Sequence, residues 1–425
     1  MIKNENRMNR RKWLKTASAA SSALAIPCIV PASALGLGGA VAPSERIVLG
    51  GLGIGPRGTT DLKCFLANPD VQFVAIADLQ QSRRDAVKTL VDGAYKNKDC
   101  KVYQDMYDIL AREDVDSLLI ATGDRWHTMA SILAAKAGKD VYCEKPCSLT
   151  ISESRALADA YRKYNRVYQA GTQRRTIGNF EFAKNLVRDG RLGKLHTIHA
   201  NTRPPGTSHH WLPAEPEPAS DVCDWDRWLG PCPWRPYNSQ YVRGRWRGHF
   251  DFHGGGILEW GSHTVDLCQW AAGRDDTAPV KYVPNADGVE CYYADGLKLV
   301  MRSEGWMGMG TCSVRYEGDD GWIETGDSGN FILEPESLRT QQSVFHRAGT
   351  DPTTHIRNFL DCVKTRAKTN ANAAVVAQSH VVCHAAYIAW QLGRTLTFDP
   401  VKEEFADDDE ANRMRSRAMR QPWHV

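Results

Sequence analysis

The sequence lacks the patterns that mark several large classes of protein. It has no clustered basic stripe of the kind that binds nucleic acid, so we expect no nucleic-acid partner. No segment is long and apolar enough to span a bilayer as a mature helix, so we expect no membrane anchor. The 12 cysteines include no Cys-x-x-Cys pair and the histidines no His-Glu-x-x-His motif, so we expect no metal site. Internal repeats and low-complexity tracts are also missing, and the length of 425 residues fits a leader followed by two globular domains.

The first 34 residues have the pattern of a targeting segment. The paired arginines Arg10 and Arg11 precede an aromatic residue, a leucine and a lysine, and a weakly apolar stretch covers residues 17–30. A small-x-small cleavage site ends at Ala34. This order is typical of a twin-arginine signal peptide, which predicts export by the twin-arginine machinery, to the periplasm or beyond. A disordered basic tail is the alternative, and residues 35–45 are predicted to be a linker.

A glycine-rich loop follows the first predicted strand. Gly53, Gly55 and Gly58 match the spacing G-x-G-x-x-G, and a helical pattern begins directly after them. The first glycine allows a tight turn, the second a close approach to a pyrophosphate, and the third the packing of helix on strand. The helix N-terminus then faces the anion. We therefore predict a dinucleotide site here, with Ile54 and Arg57 from the same loop among its contacts.

An acidic residue ends the second predicted strand. Asp78 lies 20 residues after Gly58, where a carboxylate is expected to accept hydrogen bonds from the adenosine ribose. The same charge would repel a 2′-phosphate, which favours NAD over NADP. Arg83 lies close enough in the chain to weaken that preference and is counted among the cofactor contacts. A solvated acid at the end of a strand is the alternative.

Short apolar runs alternate with helical patterns up to residue 170. The predicted strands are residues 46–51, 72–77, 117–121, 140–143 and 166–170. This alternation is typical of a doubly wound parallel sheet, so residues 46–170 are predicted to form an N-terminal Rossmann domain of the α/β class. Ligands bind at the carboxyl ends of such strands. Thr122, Trp126 and His127 follow one strand end, and Glu144 and Lys145 follow another.

Beyond residue 170 the simple alternation stops. A helix and a strand pattern are followed by residues 204–250, which are rich in Trp, Pro and Arg and have no clear periodicity. A long aromatic insert of this kind is typical of a binding or oligomer-contact loop. Strand patterns separated by glycine turns then return. Residues 171–425 are predicted to form a second, α+β domain for substrate binding and oligomerisation.

Taken in order, these motifs resemble the Gfo/Idh/MocA family, named after glucose–fructose oxidoreductase and inositol dehydrogenase. The resemblance rests on the glycine loop, Asp78, residues 122–127, 144–146, 171–175 and 254–256, and Glu259-Trp260-Gly261-Ser262-His263. Two positions depart from the family pattern, with Gly123 where proline is usual and Glu259 where aspartate is usual. The resemblance implies a nicotinamide-dependent oxidoreductase with a large open mixed sheet in its second domain.

The resemblance also implies which residues handle the proton of an alcohol. Lys145 matches the family lysine, and a nearby nicotinamide cation and partial burial would lower its pKa. His263 matches the family histidine, and Glu259 lies four residues earlier on the same helical face, where it would orient the imidazole and raise its basicity. The alternatives are a surface lysine and a buried structural histidine. A metal site built on Glu259, His263 and another histidine is not expected, because the sequence has no His-Glu-x-x-His pair of imidazoles.

Four further residues match family positions that face the substrate. They are Gln173, Arg174, Arg203 and Trp260, and Lys145 and His263 are expected to contact the substrate as well. Hydrogen-bonding groups and a flat aromatic side chain suit a sugar ring. Gln173 is also expected to contact the cofactor, and Trp126 and His127 to flank the nicotinamide. Ordinary packing or surface roles are the alternative for each.

These observations predict an oxidoreductase that transfers a hydride between a tightly held NAD and a sugar, glycoside or polyol. An exported enzyme meets no free dinucleotide pool, so the cofactor is expected to be loaded before export and recycled in place. A homodimer or homotetramer is expected, because the implied sheet has an exposed face. Two alternatives stay open: an NAD-dependent glycoside hydrolase that uses transient oxidation, and a non-catalytic sugar- or dinucleotide-binding protein.

Overall fold

The computed structural model describes residues 41–424, except residue 205 and residues 340–349. From Ile47 onward the chain forms one compact unit. The predicted signal peptide at residues 1–34 lies outside the described residues, as do residues 35–40 of the predicted linker, and both stay predictions.

Six parallel strands form the first sheet. They are β1 (Ile47–Leu52), β2 (Val71–Ala77), β3 (Lys101–Tyr103), β4 (Ser117–Ile120), β5 (Asp140–Cys143) and β6 (Tyr168–Ala170). The helices between them are α1 (Pro56–Leu66), α2 (Gln81–Tyr95), α3 (Met106–Leu110), α4 (Asp124–Lys136) and α5 (Ile151–Tyr164). The strand order is β3-β2-β1-β4-β5-β6, which confirms the predicted Rossmann sheet. The order reverses between β1 and β4, which is where such sheets bind ligands.

Local sequence explains why these elements form where they do. Strands β4 and β5 are buried along their whole length, as expected for parallel strands that are covered on both faces. Helix α5 begins at a capping residue, since Thr150 Oγ1 accepts a hydrogen bond from the backbone N–H of Glu153 at 3.1 Å. Strand β3 and helix α3 are short and were not predicted from the sequence pattern.

A nine-stranded sheet forms the second half of the molecule. Its strands are β7 (Leu195–Asn201), β8 (Lys281–Pro284), β9 (Gly288–Tyr292), β10 (Lys298–Arg302), β11 (Val314–Gly318), β12 (Gly321–Thr325), β13 (Phe331–Glu334), β14 (Leu396–Asp399) and β15 (Glu404–Phe405). The order is β13-β12-β11-β7-β10-β9-β8-β14-β15, with β7 and β10 parallel and the other described pairs antiparallel. This confirms the predicted large mixed sheet and the α/β fold class.

Helices cover one face of the second sheet. The helices of this half are α6 (Gly178–Arg188), α7 (Trp225–Leu229), α8 (Gly255–Ala272), α9 (Thr353–Thr365), α10 (Ala373–Leu392) and α11 (Asp409–Arg413). Helix α8 packs on β7 and α10 packs on β8 and β9, so that Ile198 and Leu299 are fully buried beneath them. On the opposite face, His199 and Arg302 stay partly exposed.

Helix α9 returns to the first sheet. Phe359 packs edge-on against Phe65 of α1, with ring centroids 6.2 Å apart, and against Tyr142 of β5 at 6.0 Å. Arg357 is bonded to Asp70, just before β2, at 2.9 Å. The domain boundary predicted at residue 170 lies between the last strand of the first sheet and the first strand of the second. Helix α9, which follows that boundary in the chain, nevertheless contributes residues to the core of the first sheet.

Helix α10 corrects one expectation from the sequence. Among the described helices it is the one that is long and apolar enough to cross a bilayer, although the sequence analysis found no such segment. Most of the helix is buried, because it packs against α5 on one side and α8 on the other. Its apolar character is that of a helix in the centre of a protein core.

The aromatic insert has a small core of its own. Helix α7 and a five-residue turn at Tyr241–Arg245 are its regular parts. Its buried aromatic residues are Trp225, Trp228, Tyr237, Tyr241 and Trp246, and they pack with Phe252, which lies just beyond the insert. Arg235 is 1% exposed among them, forms an ion pair with Asp251, and lies 4.5 Å from the Phe252 ring centre. Residues 204–250 are thus built as a packed unit, apart from residue 205, which lies outside the description.

Candidate active site

A cleft of about 510 Å³ lies at the carboxyl ends of the parallel strands. Most of the predicted site residues line it: Gly53, Gly55, Arg57, Asp78, Arg83, Thr122, Trp126, His127, Glu144, Lys145, Gln173, Arg174, Glu259, Trp260 and His263. Ile54, Gly58 and Arg203 do not line it. The two halves of the predicted site, which are far apart in the sequence, therefore meet in one cavity.

The three glycines have the geometry that a dinucleotide loop requires. Gly53 has φ +63°, and a Cβ there would lie 2.3 Å from Cγ2 of Thr122. Gly55 caps helix α1 without a side-chain hydrogen bond, which leaves the first backbone N–H groups of the helix for a ligand. A Cβ on Gly58 would lie 2.5 Å from Ala121, so this glycine lets α1 pack on the end of β4. Ile54 is buried below the loop, in the core, and supports the loop from there.

Asp78 lies at the end of β2 and is only 7% exposed. One carboxylate oxygen accepts the backbone N–H of Gln80 at 2.9 Å, and burial raises the pKa of Asp78 to about 6. The guanidinium of Arg83 covers Gly55, since a Cβ on that glycine would lie 2.3 Å from Nη1 of Arg83. The carboxylate for a ribose and a cation above the phosphate loop are thus both present, and the cleft fits a nicotinamide dinucleotide.

Arg57 is held inside an acidic pair. Its Nε lies 3.2 Å from Oε1 of Glu144 and its Nη2 lies 2.8 Å from Oδ1 of Asp61. Burial and the neighbouring Glu144 raise the pKa of Asp61 well above its usual value. Gly171 leaves room for this cluster, because a Cβ there would lie 2.3 Å from Glu144 Oε1. Glu144 and Arg57 therefore support the loop that carries Lys145, and Asp61, four residues after Arg57 on α1, was missed by the sequence analysis.

Part of the aromatic insert closes over the cleft, and we call residues 219–247 the strap. Arg125 donates from Nε to the carbonyl of Trp228 at 2.6 Å, and its guanidinium lies 3.5 Å from the centre of that indole ring. Trp126 donates from Nε1 to the carbonyl of Arg227 at 3.2 Å. Trp126, predicted to flank the nicotinamide, thus lines the cleft while it anchors the strap.

A second set of contacts fixes the strap at the Asp78 end of the cleft. The backbone N–H of Gln81 donates to the carbonyl of Val222 at 3.0 Å. Arg84 donates to the carbonyl of Asp221 at 2.7 Å and to the carbonyl of Asp78 at 2.6 Å. The strap is therefore bonded to the first domain on both sides of the glycine loop. The sequence predicted a binding loop here but gave no sign of where it would attach.

His127 joins two loops of the first domain. Its Nδ1 lies 2.6 Å from the carbonyl oxygen of Pro146, and its Nε2 lies 3.1 Å from that of Thr122. The ring is 2% exposed. His127 therefore fixes the loop after β4 against the loop that carries Lys145.

Lys145 forms an ion pair with Glu259 across the cleft. Its Nζ lies 2.8 Å from Oε1 of Glu259 and 3.1 Å from the backbone carbonyl oxygen of the same residue. The other oxygen of Glu259 lies 3.1 Å from Nε2 of His253. Burial raises the pKa of Glu259, but Lys145 and His253 outweigh it and hold this pKa far below its usual value. Glu259 is therefore a permanent anion that orients the lysine ammonium.

His263 has a different partner from the one predicted. The sequence suggested that Glu259 would orient it, but its Nε2 lies 3.0 Å from Nη1 of Arg174. Guanidinium can only donate, so Nε2 is an acceptor and the ring proton resides on Nδ1. Burial, followed by the charges of Arg174 and Lys145, lowers the pKa of His263 well below its usual value. The prediction of a basic His263 next to Glu259 is wrong, because both oxygens of the carboxylate are taken by Lys145 and His253 while Arg174 occupies Nε2 of His263.

Arg174 is also more fully engaged than predicted. It binds Asp327 through two hydrogen bonds of 3.0 and 2.7 Å and donates to Oε1 of Gln173 at 3.2 Å. Asp266, the next acid after His263 on α8, pairs with Arg175 at 2.7 Å. Arg174 therefore positions His263, and four of its five N–H donors are bonded to protein groups.

Two predicted substrate residues, Trp260 and Arg203, lie against each other, and one of them lines the cleft. Trp260 lines the cavity, and the guanidinium of Arg203 lies 5.0 Å from the centre of its ring, outside the cavity itself. Gln173 lines the cavity and is 2% exposed. An aromatic face and an amide thus remain available to a polar ligand.

Asp124 and His253, which the sequence analysis missed, complete a cluster with Glu259. One oxygen or nitrogen atom from each of the three residues lies within 4.8 Å of the others. His253 directly precedes a run of glycines, and nothing in the local pattern distinguishes it from a loop residue. The expectation of no metal site stays a prediction.

The fold and the cleft define a class of protein: a two-domain oxidoreductase that binds a nicotinamide dinucleotide on a Rossmann sheet and a second ligand against a mixed sheet. Comparison of the sequence with known protein families supports this class. Residues 46–172 match the Gfo/Idh/MocA oxidoreductase family's NAD-binding Rossmann fold, and residues 184–425 match its C-terminal α/β domain. The chain belongs to the Gfo/Idh/MocA family of oxidoreductases.

Individual relatives are distant. Myo-inositol 2-dehydrogenase of Thermotoga maritima is 28% identical over 157 residues, which span 37% of this chain and 45% of the relative. The rhizopine catabolism protein MocA of Rhizobium meliloti is 24% identical over 355 residues, 80% of this chain and 94% of that protein. A levoglucosan dehydrogenase structure in complex with NADH superposes with TM-score 0.61 at 16% identity, covering 83% of this chain and 98% of that one. That similarity establishes the fold.

Proposed function

We propose that the protein is an NAD-dependent dehydrogenase that interconverts a hydroxyl and a carbonyl group on a sugar, glycoside or polyol. The observation that carries the proposal is the arrangement of Lys145 and His263 in the same cleft as the glycine loop and Asp78. The names of the inositol dehydrogenase and levoglucosan dehydrogenase relatives support a polyhydroxylated substrate.

Lys145 is the group that exchanges a proton with the substrate oxygen. An ammonium has three N–H bonds, and two of them are directed at the carboxylate and the carbonyl of Glu259. The third is left for a ligand in the cleft. In the reducing direction Nζ donates its proton to the carbonyl oxygen, and in the oxidising direction neutral Nζ accepts the hydroxyl proton.

His263 holds a substrate oxygen without changing its own protonation. Its Nδ1 is buried and has no hydrogen-bond partner among the described residues. Because Arg174 fixes the proton on Nδ1, this atom is a donor, and the His263 side chain lines a ligand-sized cavity. The bound nicotinamide ring would supply the hydride acceptor or donor, and the protein supplies orientation and the proton.

Asp78 and the strap support two further parts of the proposal. An ionised Asp78 would accept both ribose hydroxyls and repel a 2′-phosphate, which favours NAD, while Arg83 moderates this preference. The strap is bonded to the first domain at both ends of the cleft, so release of the coenzyme requires those bonds to open. We therefore propose that NAD is retained through many turnovers and reoxidised in place by a second carbonyl compound or a redox partner.

Export and assembly remain part of the same proposal. The twin-arginine pattern of the first 34 residues supports export to the periplasm. Ile332 on β13 and Met307 in the loop between β10 and β11 are 39% and 47% exposed, which supports association into a homodimer or homotetramer through these apolar side chains. Cell fractionation and light scattering of the purified protein measure these two properties directly.

The test is an activity screen with a matched lysine control. Purified protein is incubated with a panel of sugars, glycosides and polyols while the absorbance of reduced nicotinamide is followed. Lys145→Met should lower kcat by about 10²- to 10⁴-fold with coenzyme binding kept, because one proton-transfer group is removed. Lys136→Met, at the exposed end of α4, is the control and should behave as wild type.

Other outcomes of the screen contradict the proposal. Net glycosidic cleavage without a change in the redox state of the substrate would indicate the hydrolase. Equal turnover by wild type and Lys145→Met would remove the lysine from the mechanism. Mass spectrometry of dialysed protein tests retention separately, and a protein free of nucleotide contradicts it.

A further inference from the structure

We propose that His253 is a positioning residue, a fixed N–H donor that holds Glu259 against Lys145, and that the cluster it forms with Asp124 is not a metal site. This role deepens the proposed dehydrogenase function and rests on it. It differs from the role of His263, because His253 acts on the substrate only through Glu259.

The backbone fixes which nitrogen of His253 carries the proton. Nδ1 accepts the backbone N–H of Gly248 at 3.2 Å and that of Gly255 at 3.1 Å. Both neighbours are donors, so Nδ1 must present its lone pair. A neutral imidazole has one N–H, and in His253 that bond is therefore on Nε2.

The ring has little freedom to change this arrangement. His253 is 6% exposed, and the indole of Trp246 packs edge-on to it with ring centroids 5.9 Å apart. Gly255 is the first residue of α8, so its N–H belongs to the positive end of that helix. A proton on Nδ1 would face two N–H groups and this helix end, which opposes both the other tautomer and the imidazolium.

The proton on Nε2 is directed at carboxylates. Oε2 of Glu259 lies 3.1 Å from it and Oδ2 of Asp124 lies 3.9 Å away. That oxygen of Asp124 has no hydrogen-bond partner among the described residues, and the side chain is 3% exposed. Burial raises the pKa of Asp124. The Nε2–H of His253 thus donates a hydrogen bond to Glu259 and lies at a longer distance from Asp124.

This assignment opposes a metal ion even though the donor set looks suitable. A metal needs the lone pair of a histidine nitrogen. In His253 the lone pair is taken up by Gly248 and Gly255, and the nitrogen nearest the carboxylates carries a hydrogen. Lys145 also places an ammonium on Glu259 at 2.8 Å, on the side where a second cation would be repelled.

Because of His253, the two oxygens of Glu259 have different hydrogen-bond partners. Oε2 is held by a neutral donor, which leaves Oε1 for Lys145. A neutral donor orients the carboxylate without replacing the lysine as its charged partner. Without this bond the carboxylate could rotate away, and the ammonium would lose its fixed direction towards the substrate.

Two amide substitutions of His253 distinguish a role in positioning Glu259 from a role in packing. In His253→Asn the side-chain oxygen can replace Nδ1 as the acceptor for the backbone, but the donor to Glu259 is lost. In His253→Gln the amide nitrogen can reach the place of Nε2 and donate to Glu259, while the backbone contacts are weakened. His196→Asn, on the exposed side of β7, is the control.

We expect kcat of His253→Asn to fall about tenfold to a hundredfold, the effect of losing one hydrogen bond to a charged group. His253→Gln should keep at least tenfold more of the wild-type kcat than His253→Asn, although it melts at a lower temperature. KM and coenzyme affinity should change less than threefold in both variants. A purely structural role predicts the reverse order, with His253→Gln the less active, and that result overturns the proposal.

An activity-independent measurement keeps this test distinct from that of the dehydrogenase function. Long-range ¹H–¹⁵N NMR of the full protein with labelled histidine reports the tautomer of each ring, and His253→Asn identifies the signal. We expect Nε2–H for His253, with no change when zinc or manganese is added. A proton on Nδ1, or loss of the signal on binding either metal, overturns the inference even if the protein proves to be a dehydrogenase. If the Nε2–H signal is observed but no sugar is turned over, the tautomer assignment stands and the proposed dehydrogenase function is wrong.

Discussion

Lowering the pH below about 6 should weaken NAD binding, because burial raises the pKa of Asp78 to about 6 in the folded protein. The ribose hydroxyls donate hydrogen bonds, and only the ionised carboxylate accepts both of them well. Coenzyme binding therefore competes with protonation. Affinity is highest above pH 7 and falls as the pH drops through the pKa of the free protein.

The size of the effect follows from the buried position of Asp78. One pKa unit is worth about 1.4 kcal/mol, so a rise from 3.8 to about 6 means that burial disfavours the ionised form by roughly 3 kcal/mol. The sign for folding follows as well. The folded protein without coenzyme binds the proton more tightly than the unfolded chain, so its stability falls as the pH rises from about 4 to about 6.

Two hydrogen bonds to an ionised acceptor contribute about 3 to 6 kcal/mol, enough to offset this penalty when NAD binds. At pH 5 about one tenth of Asp78 is ionised in the free protein, so the Kd for NAD should be roughly tenfold higher than at pH 8. In Asp78→Asn the Kd should be about tenfold to a hundredfold higher at pH 8 and nearly independent of pH.

Tryptophan fluorescence is a suitable assay, because Trp126, Trp228 and Trp246 line the cleft. Each titration must be left to reach equilibrium, since the strap is expected to slow exchange. If NADP is used in place of NAD, its 2′-phosphate also titrates. That titration persists in Asp78→Asn, so the variant distinguishes it from the titration of Asp78. A wild-type Kd for NAD that is constant between pH 5 and 8 would refute the role assigned to Asp78.

Three further substitutions test other parts of the site. Gly53→Ala combines a positive φ with a Cβ 2.3 Å from Cγ2 of Thr122, so it should cost about 2 to 4 kcal/mol and abolish dinucleotide binding. Gly93→Ala, in open space on α2, is its control and should stabilise by up to about 1 kcal/mol in a urea titration. Asp327→Asn weakens the bidentate hold on Arg174 and should lower the free energy of unfolding by about 2 to 3 kcal/mol, with a fall in kcat. Arg227→Ala removes a half-exposed ion pair of the strap, so nucleotide release measured by filtration should become faster while the melting temperature shifts by less than about 2 °C.

Local patterns were enough to predict that the proposed coenzyme residues meet in one cleft. The glycine spacing, the preceding apolar strand and the acid at the end of the second strand are all short-range features. The parallel sheet then brings its strand ends together whatever the rest of the chain does. For this reason Gly53, Asp78, Thr122 and Lys145 line one cleft as predicted.

Such patterns could not predict the hydrogen-bond partners of individual side chains. Helical spacing correctly places Glu259 and His263 one turn apart, but it does not show what lies opposite each of them. Lys145, from the first domain, lies 2.8 Å from Glu259, and Arg174 lies 3.0 Å from His263. Each contact joins residues about 90 or more positions apart, which periodicity cannot report.

The length of the Glu259 side chain suits these contacts. The longer side chain lies between an ammonium and a neutral imidazole and bonds to one with each oxygen. Three of the polar groups at this end of the cleft have partners that fix where a proton lies. Glu259 is held as an anion by Lys145, His263 is held with its proton on Nδ1 by Arg174, and His253 is held with its proton on Nε2 by two backbone donors. In the proposed mechanism Lys145 is then the group that exchanges a proton, and its fixed polar surroundings direct that proton to a substrate oxygen bound beside Nζ.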